Sequence, residues 1–134
     1  MAMSLKNLLP ARWRRDQVVI PIVRLAGMIG GGATGGLRST LSLASVEGVL
    51  RRAFAVGKAP AVALIVNSPG GSAVQSHLIY KRIRALAEEK HKRVIVAVED
   101  VAASGGYMIA AAADENIVDG SSIVAAIGVV SAGF

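Results

Sequence analysis

The sequence contains no cysteine, which excludes disulfides and thiolate metal ligands. Histidine occurs only at 77 and 91, too sparsely for a His-rich metal cluster. Aromatic residues make up 4% of the 134 residues, so an apolar interior has to come from Ala, Val, Ile and Leu, the bulk of the 53% hydrophobic content. Side chains of that size suit strands and helices packed in close layers, and the length suits one domain. No stretch of 18 apolar residues runs free of charge and glycine, so no transmembrane helix is expected. Basic residues are missing after Arg93: residues 94–134 hold five acids and no Lys or Arg, whereas residues 1–93 hold all 15 bases against four acids.

That basic excess is scattered over a tail and two helix faces with no interleaved aromatics. The pattern argues against nucleic acid and for a solvated face or weak attraction to anionic lipid headgroups. Lys6, Arg12, Arg14 and Arg15 precede the run VVIPIV. The run is short, contains Pro21 and meets Arg24, which is unlike a signal peptide. Residues 1–16 read as a basic leader able to contact a membrane surface peripherally, and the remainder, 17–134, as the folded portion. A cytoplasmic or peripherally membrane-associated location is expected.

Hydrophobic periodicity divides the folded portion. QVVIPIVRL (17–25) reads as a strand and the glycine-rich 28–40 as a loop. From Ser45, residues Val46, Val49, Leu50, Ala53 and Phe54 trace one helix face, with Gly57 as the stop. AVALIVN (61–67) is a second strand. SPGG (68–71) is a turn, and Ser72 with Gln75 predicts a capping box opening a helix to Lys90. RVIVAV (93–98) is a third strand, ended by Glu99 and Asp100. A helix follows over about 105–113, and 116–119 and 123–130 predict short buried strands. Apolar strands joined by helices imply an α/β fold with a parallel sheet covered on both faces.

Three stretches could carry chemistry. Gly30-x-Gly32-x-x-Gly35 has the form of a dinucleotide fingerprint, but the second strand ends in Asn67 where an acid should hold a ribose hydroxyl. A flexible loop is the better reading. In Asn67–Ser72, Gly70 and Gly71 have no side chains to shield their N–H groups, so the turn can aim donors at a ligand oxygen. Ser104 stands where the third strand becomes a helix, with the Gly105 N–H close to its hydroxyl. That is the pattern of a nucleophile with a built-in oxyanion donor, and equally of a serine that caps a helix. Taken together, the two turns fit acyl transfer at Ser104, with Gly70, Gly71 and Gly105 as the oxyanion hole. Glu99 and Asp100 read as strand-terminating acids, Tyr107 as a wall residue, and His77 and Lys81 as residues of a solvated helix face.

LIVNSPGGS (64–72), EDVAASGGYMIAAAADENIV (99–118) and SSIVAAIGVVSAGF (121–134) resemble the signal peptide peptidase A (SppA/SohB) family of serine peptidases, within the Clp-protease/crotonase superfamily. The resemblance runs from about Gln17 to the last residue. It implies a parallel-sheet fold of repeated β-β-α and β-α units, of which 17–134 would be the N-terminal portion, truncated at the C-terminus. It implies Ser104 as nucleophile, Gly105 and an SPGG glycine as oxyanion hole, peptide substrates such as signal-peptide remnants, a homo-oligomer, and no metal or cofactor. The family uses a Ser–Lys dyad whose lysine follows the serine. Here Lys6, Lys58, Lys81, Lys90 and Lys92 all precede Ser104, as do both histidines, and 30 residues follow it. No general base is therefore found in this chain. Ala125-Ala126 also stands where the family usually has Gly-Ser. A serine without a base is a poor nucleophile, so the chain alone is expected to be inactive or nearly so. A non-catalytic peptide-binding or scaffolding homologue, and a crotonase-type acyl-CoA enzyme, are the other readings.

Overall fold

The structure is a computed structural model that describes residues 18–30, 40–125 and 128. The leader at 1–16, Gly32 and Gly35 of the glycine loop, and Ala126 lie outside the described residues. The elements run β1 (Ile22–Ala26), α1 (Leu43–Phe54), β2 (Ala61–Ser68), α2 (Ala73–Lys90), β3 (Arg93–Ala103), α3 (Gly105–Ala110), β4 (Glu115–Val118) and β5 (Ile123–Ala125). All strand pairings are parallel, in the order β1-β2-β3-β4, and β5 extends the same edge of β3 beyond β4.

The strand order advances one way, and right-handed crossovers in a constant direction lay every helix on the same face of a sheet. The burial pattern agrees. Val23, Leu25, Val62, Leu64, Val66, Val94, Val96 and Val98 are buried beneath the helices. Their alternates Ile22, Arg24, Ile65, Ile95 and Ala97 are exposed or half-buried. Among the described residues, then, apolar side chains line both faces of the sheet but helices cover only one, where cover on both was expected. Likewise β4 and β5, expected to be buried, are largely exposed, because no helix among the described residues crosses that edge.

Local chemistry sets the helix ends. Ser42 caps α1, which begins at Leu43, two residues before the periodicity read from Ser45. Its Oγ accepts the Ser45 N–H at 3.2 Å, and Ser45 Oγ accepts the Ser42 N–H at 2.9 Å. Gly57 is not the stop, since the C-cap is Ala55 in a right-handed conformation. Ser72 Oγ does accept the Gln75 N–H at 3.3 Å, but the capping box predicted there is only half made. The Gln75 amide oxygen instead accepts the Leu43 N–H at 2.9 Å, so α2 satisfies an orphan donor at the start of α1. The core is aliphatic around one aromatic: Phe54, Leu50, Leu64, Ile79, Ile83, Val94, Val96 and Ile109 are fully buried.

Candidate active site

Glu99 and Asp100 do not end the third strand, which continues to Ala103. Val66 pairs with Val98, but Ser68 pairs with Ala102, so Asn67 alone faces three residues of β3. The Asn67 side chain holds this bulge: its Nδ2 donates to Asp100 at 2.8 Å and its Oδ1 accepts the Val101 N–H at 3.3 Å. Glu99 reaches across the open face to Arg24, whose Nη2 lies 2.6 Å from its carboxylate. Ser122 Oγ donates to the Glu99 carbonyl at 2.6 Å and fills the gap between β4 and β5. The two acids therefore fix the last stretch of β3, which ends at Ala103, one residue before Ser104. A bulge leaves no periodic signature, so neither the Asn67 clamp nor the longer strand could be read from hydropathy.

Beyond β2 the chain reverses through Gly70 and Gly71, whose φ values of +101° and +144° lie where side-chain-bearing residues are strained. The Gly70 N–H turns inward and donates to the buried Ser68 Oγ at 3.1 Å. The Gly70 carbonyl accepts the Ile29 N–H at 2.9 Å, and the Ile29 carbonyl accepts the Ser72 N–H at 2.8 Å. This is a parallel bridge between Ile29 and Gly71. In such a bridge the neighbours of Gly71 make the bonds, so its own N–H lies on the side away from Ile29.

Ser104 has φ 51° and ψ −119°, a conformation that costs a residue with a β-carbon of order 1–3 kcal/mol. A strained strand-to-helix turn is the geometry that lifts a serine hydroxyl clear of the backbone. The hydroxyl makes no capping bond to α3, so the helix-cap reading of Ser104 finds no support. Gly105, the first residue of α3, has no intrahelical acceptor for its N–H.

The turns meet. A β-carbon added to Gly70 would lie 2.7 Å from Ser104 Cβ and 2.9 Å from the Gly105 nitrogen. One added to Gly105 would lie 2.1 Å from Ser76 Oγ, and one on Gly106 2.4 Å from the Ser68 carbonyl oxygen. The glycines of SPGG and SGG are thus contact surfaces between the two turns. Ser76, buried in α2, donates to the Ser72 carbonyl at 2.7 Å and backs Gly105. Sequence reading missed both buried serines, Ser68 and Ser76, which look like ordinary turn and helix residues.

His77 and Lys81 lie on the exposed side of α2, and His77 stacks on Tyr80 at 6.4 Å between ring centroids. Tyr107 is half exposed on α3. Among the described residues, no three His, Cys, Asp or Glu side chains cluster so as to hold a metal, and no helix is long and apolar enough to cross a membrane.

Residues 86–134, which include Ser104, match the model of peptidase family S49. Over 97% of its length the chain is 63% identical to a protein of Brucella melitensis named Na(+)/H(+) antiporter NhaA, and spans 18% of that protein. It is 37% identical over 90% of its length to the chloroplastic serine protease SPPA of Arabidopsis thaliana, spanning 17% of it. It is 41% identical over 63% of its length to protease 4 of Haemophilus influenzae, spanning 14% of that protein. The chain thus covers less than a fifth of each of these relatives. Its fold is similar to a ClpP1 N165D mutant from Listeria monocytogenes, with a TM-score of 0.51 and 19% identity over 69% of this chain and 46% of that one. Family match, protease relatives and fold together mark the chain as SppA-like, with a fold similar to that of ClpP.

Proposed function

We propose that the chain is the nucleophile-bearing portion of a serine endopeptidase. The observation that carries this reading is the strained backbone of Ser104, held against Gly70 with its hydroxyl unused by the helix. Ser104 Oγ attacks a peptide carbonyl carbon and gives up its proton to a base. The carbonyl oxygen becomes an oxyanion and accepts from the N–H groups of Gly105 and Gly71, the latter on the side of its strand where β3 lies. Each such donor contributes about 3–4 kcal/mol to the transition state. The amine leaves with a proton, the acyl group stays on Ser104 as an ester, and water releases it. Gly70, with its N–H held by Ser68, serves by letting the turn close on Ser104.

The base comes from outside this chain. Every Lys and His precedes Ser104, and His77 and Lys81 sit on a solvated helix face. The chain alone is therefore inactive or nearly so. Its substrate is a peptide, and the sheet face that no described helix covers gives a homo-oligomer a surface to bury. The test is fluorophosphonate labelling of the full chain, located by mass spectrometry, with and without a high concentration of imidazole or a small primary amine. Slow labelling at Ser104, accelerated by the added base, is expected. Adducts only on other serines would overturn the reading, and rapid labelling without added base would overturn the claim of inactivity.

A second reading, a non-catalytic peptide-binding or scaffolding homologue, draws support from the lack of any Lys or His after Ser104 in this chain. It expects no adduct at Ser104 and peptide binding unchanged by Ser104→Ala.

A further inference from the structure

A groove of about 610 Å3 runs between the C-terminal halves of α1 and α2. Gly48, Ala55 and Leu86 lie in it, and Arg51, Arg52, Arg82, Lys90 and the acid Glu89 line it. Two of these cations are neutralised: Arg82 by Glu47 at 2.6 Å, and Lys90 by Glu89 at 2.8 Å. Arg51 and Arg52 have no carboxylate within 4 Å among the described residues. Arg52 folds back one turn over Gly48, its Nη1 3.6 Å from where a β-carbon there would sit. The missing side chain at 48 leaves a guanidinium lying along the groove. Arg51 feels the charges of Glu47 and Glu89 without a direct contact, so two arginines with no contacting carboxylate stand beside a small apolar floor and present the planar donors that phosphate oxygens accept in pairs.

The groove's place in the fold matters as much as its charge. α1 and α2 run back antiparallel to the strands they join, so their last turns lie where the strands begin. Ser104, Gly70 and Gly71 lie at the other end, where strands finish. Lys58 and Lys92, in the connections after α1 and α2, and Arg93, the first residue of β3, share the groove's end. Residues 18–21 lead into β1 at that end too, and Lys6, Arg12, Arg14 and Arg15 precede them in the sequence.

We propose that this groove seats the phosphate of an anionic phospholipid headgroup, docking the strand-start end of the sheet on a membrane surface with the Ser104 turn facing away from it. The experiment is co-sedimentation of the full chain with vesicles of phosphatidylcholine, alone or mixed with phosphatidylglycerol. Binding is expected only to the mixed vesicles. Arg51→Gln with Arg52→Gln should weaken it by about fivefold per charge, roughly thirtyfold together. The loss should persist in a chain whose Lys6, Arg12, Arg14 and Arg15 are all glutamine, which separates the groove from the leader. Lys81→Gln with Arg84→Gln removes as much charge away from the groove and should cost far less. All four residues are at least partly solvent-exposed, and circular dichroism checks that each variant folds. Unchanged binding in the groove variant, an equal loss in the control pair, or a groove effect that vanishes without the leader charges would each overturn the proposal. Failure here leaves labelling of Ser104 untouched.

Discussion

Gly70 and Ser104 are in contact across the end of the sheet, so close that a methyl group on residue 70 would overlap the serine's β-carbon at 2.7 Å. Residues 34 apart in sequence are thus locked into one structure by the absence of a side chain on one of them. Gly70→Ala adds both this clash and an alanine at φ +101°. A loss of about 2–5 kcal/mol is expected from the strain and overpacking combined. Thermal unfolding measures it, and base-assisted labelling of Ser104 should fall with it.

Ser104 itself stores strain. Glycine tolerates φ 51°, ψ −119° where serine does not, so Ser104→Gly should stabilise the fold by about 1 kcal/mol while abolishing labelling. Ser104→Ala also abolishes labelling but keeps the β-carbon, and should leave stability close to that of the parent chain. Denaturant midpoints of the three proteins distinguish strain from any general benefit of losing the hydroxyl.

The buried Ser68 hydroxyl is the acceptor recorded for the Gly70 N–H. Removing it in Ser68→Ala strands a buried donor and should cost about 1–3 kcal/mol. Amide exchange at Gly70, followed by NMR, should accelerate in the variant. Unchanged exchange would mean that the inward turn of this N–H is held by something else.

Asp114 links pH to stability. The Val94 N–H at 2.8 Å, together with Arg84 at 3.0 Å, holds its carboxyl below the ordinary value of 3.8. A depressed folded-state pKa contributes stability above the unfolded value and loses it as pH falls through the folded one. Asp114→Ala should therefore cost about 1 kcal/mol at neutral pH, with the gap to the parent closing on acidification below pH 3.8. Urea midpoints at several pH values check this.

The two turns were legible in the sequence because their chemistry is local: glycines where no side chain fits, and a serine between strand and helix. The helix faces were legible for the same reason, since Val46, Leu50, Ala53 and Phe54 recur at helical spacing and are buried. Layering was not legible. Whether helices fall on one face or two depends on strand order, and the apolar runs AVALIV and RVIVAV read alike in either case. Glu99 and Asp100 misled for a related reason. Two acids after an apolar run look like an ending, whereas here they lie within a bulge and are bound by Arg24 and Asn67. His91, which ends α2 in the left-handed region at φ 52°, gave no signal because glycine or asparagine usually occupies that place.

The one-way strand order carries a consequence for how the protein comes into being. Each crossover joins neighbours in the sheet, so a chain emerging from the ribosome can wind up unit by unit without waiting for distant segments. The hydroxyl at 104 is mounted only when the third unit closes on the first two. A molecule halted before β3 therefore lacks the turn that Gly70 packs against.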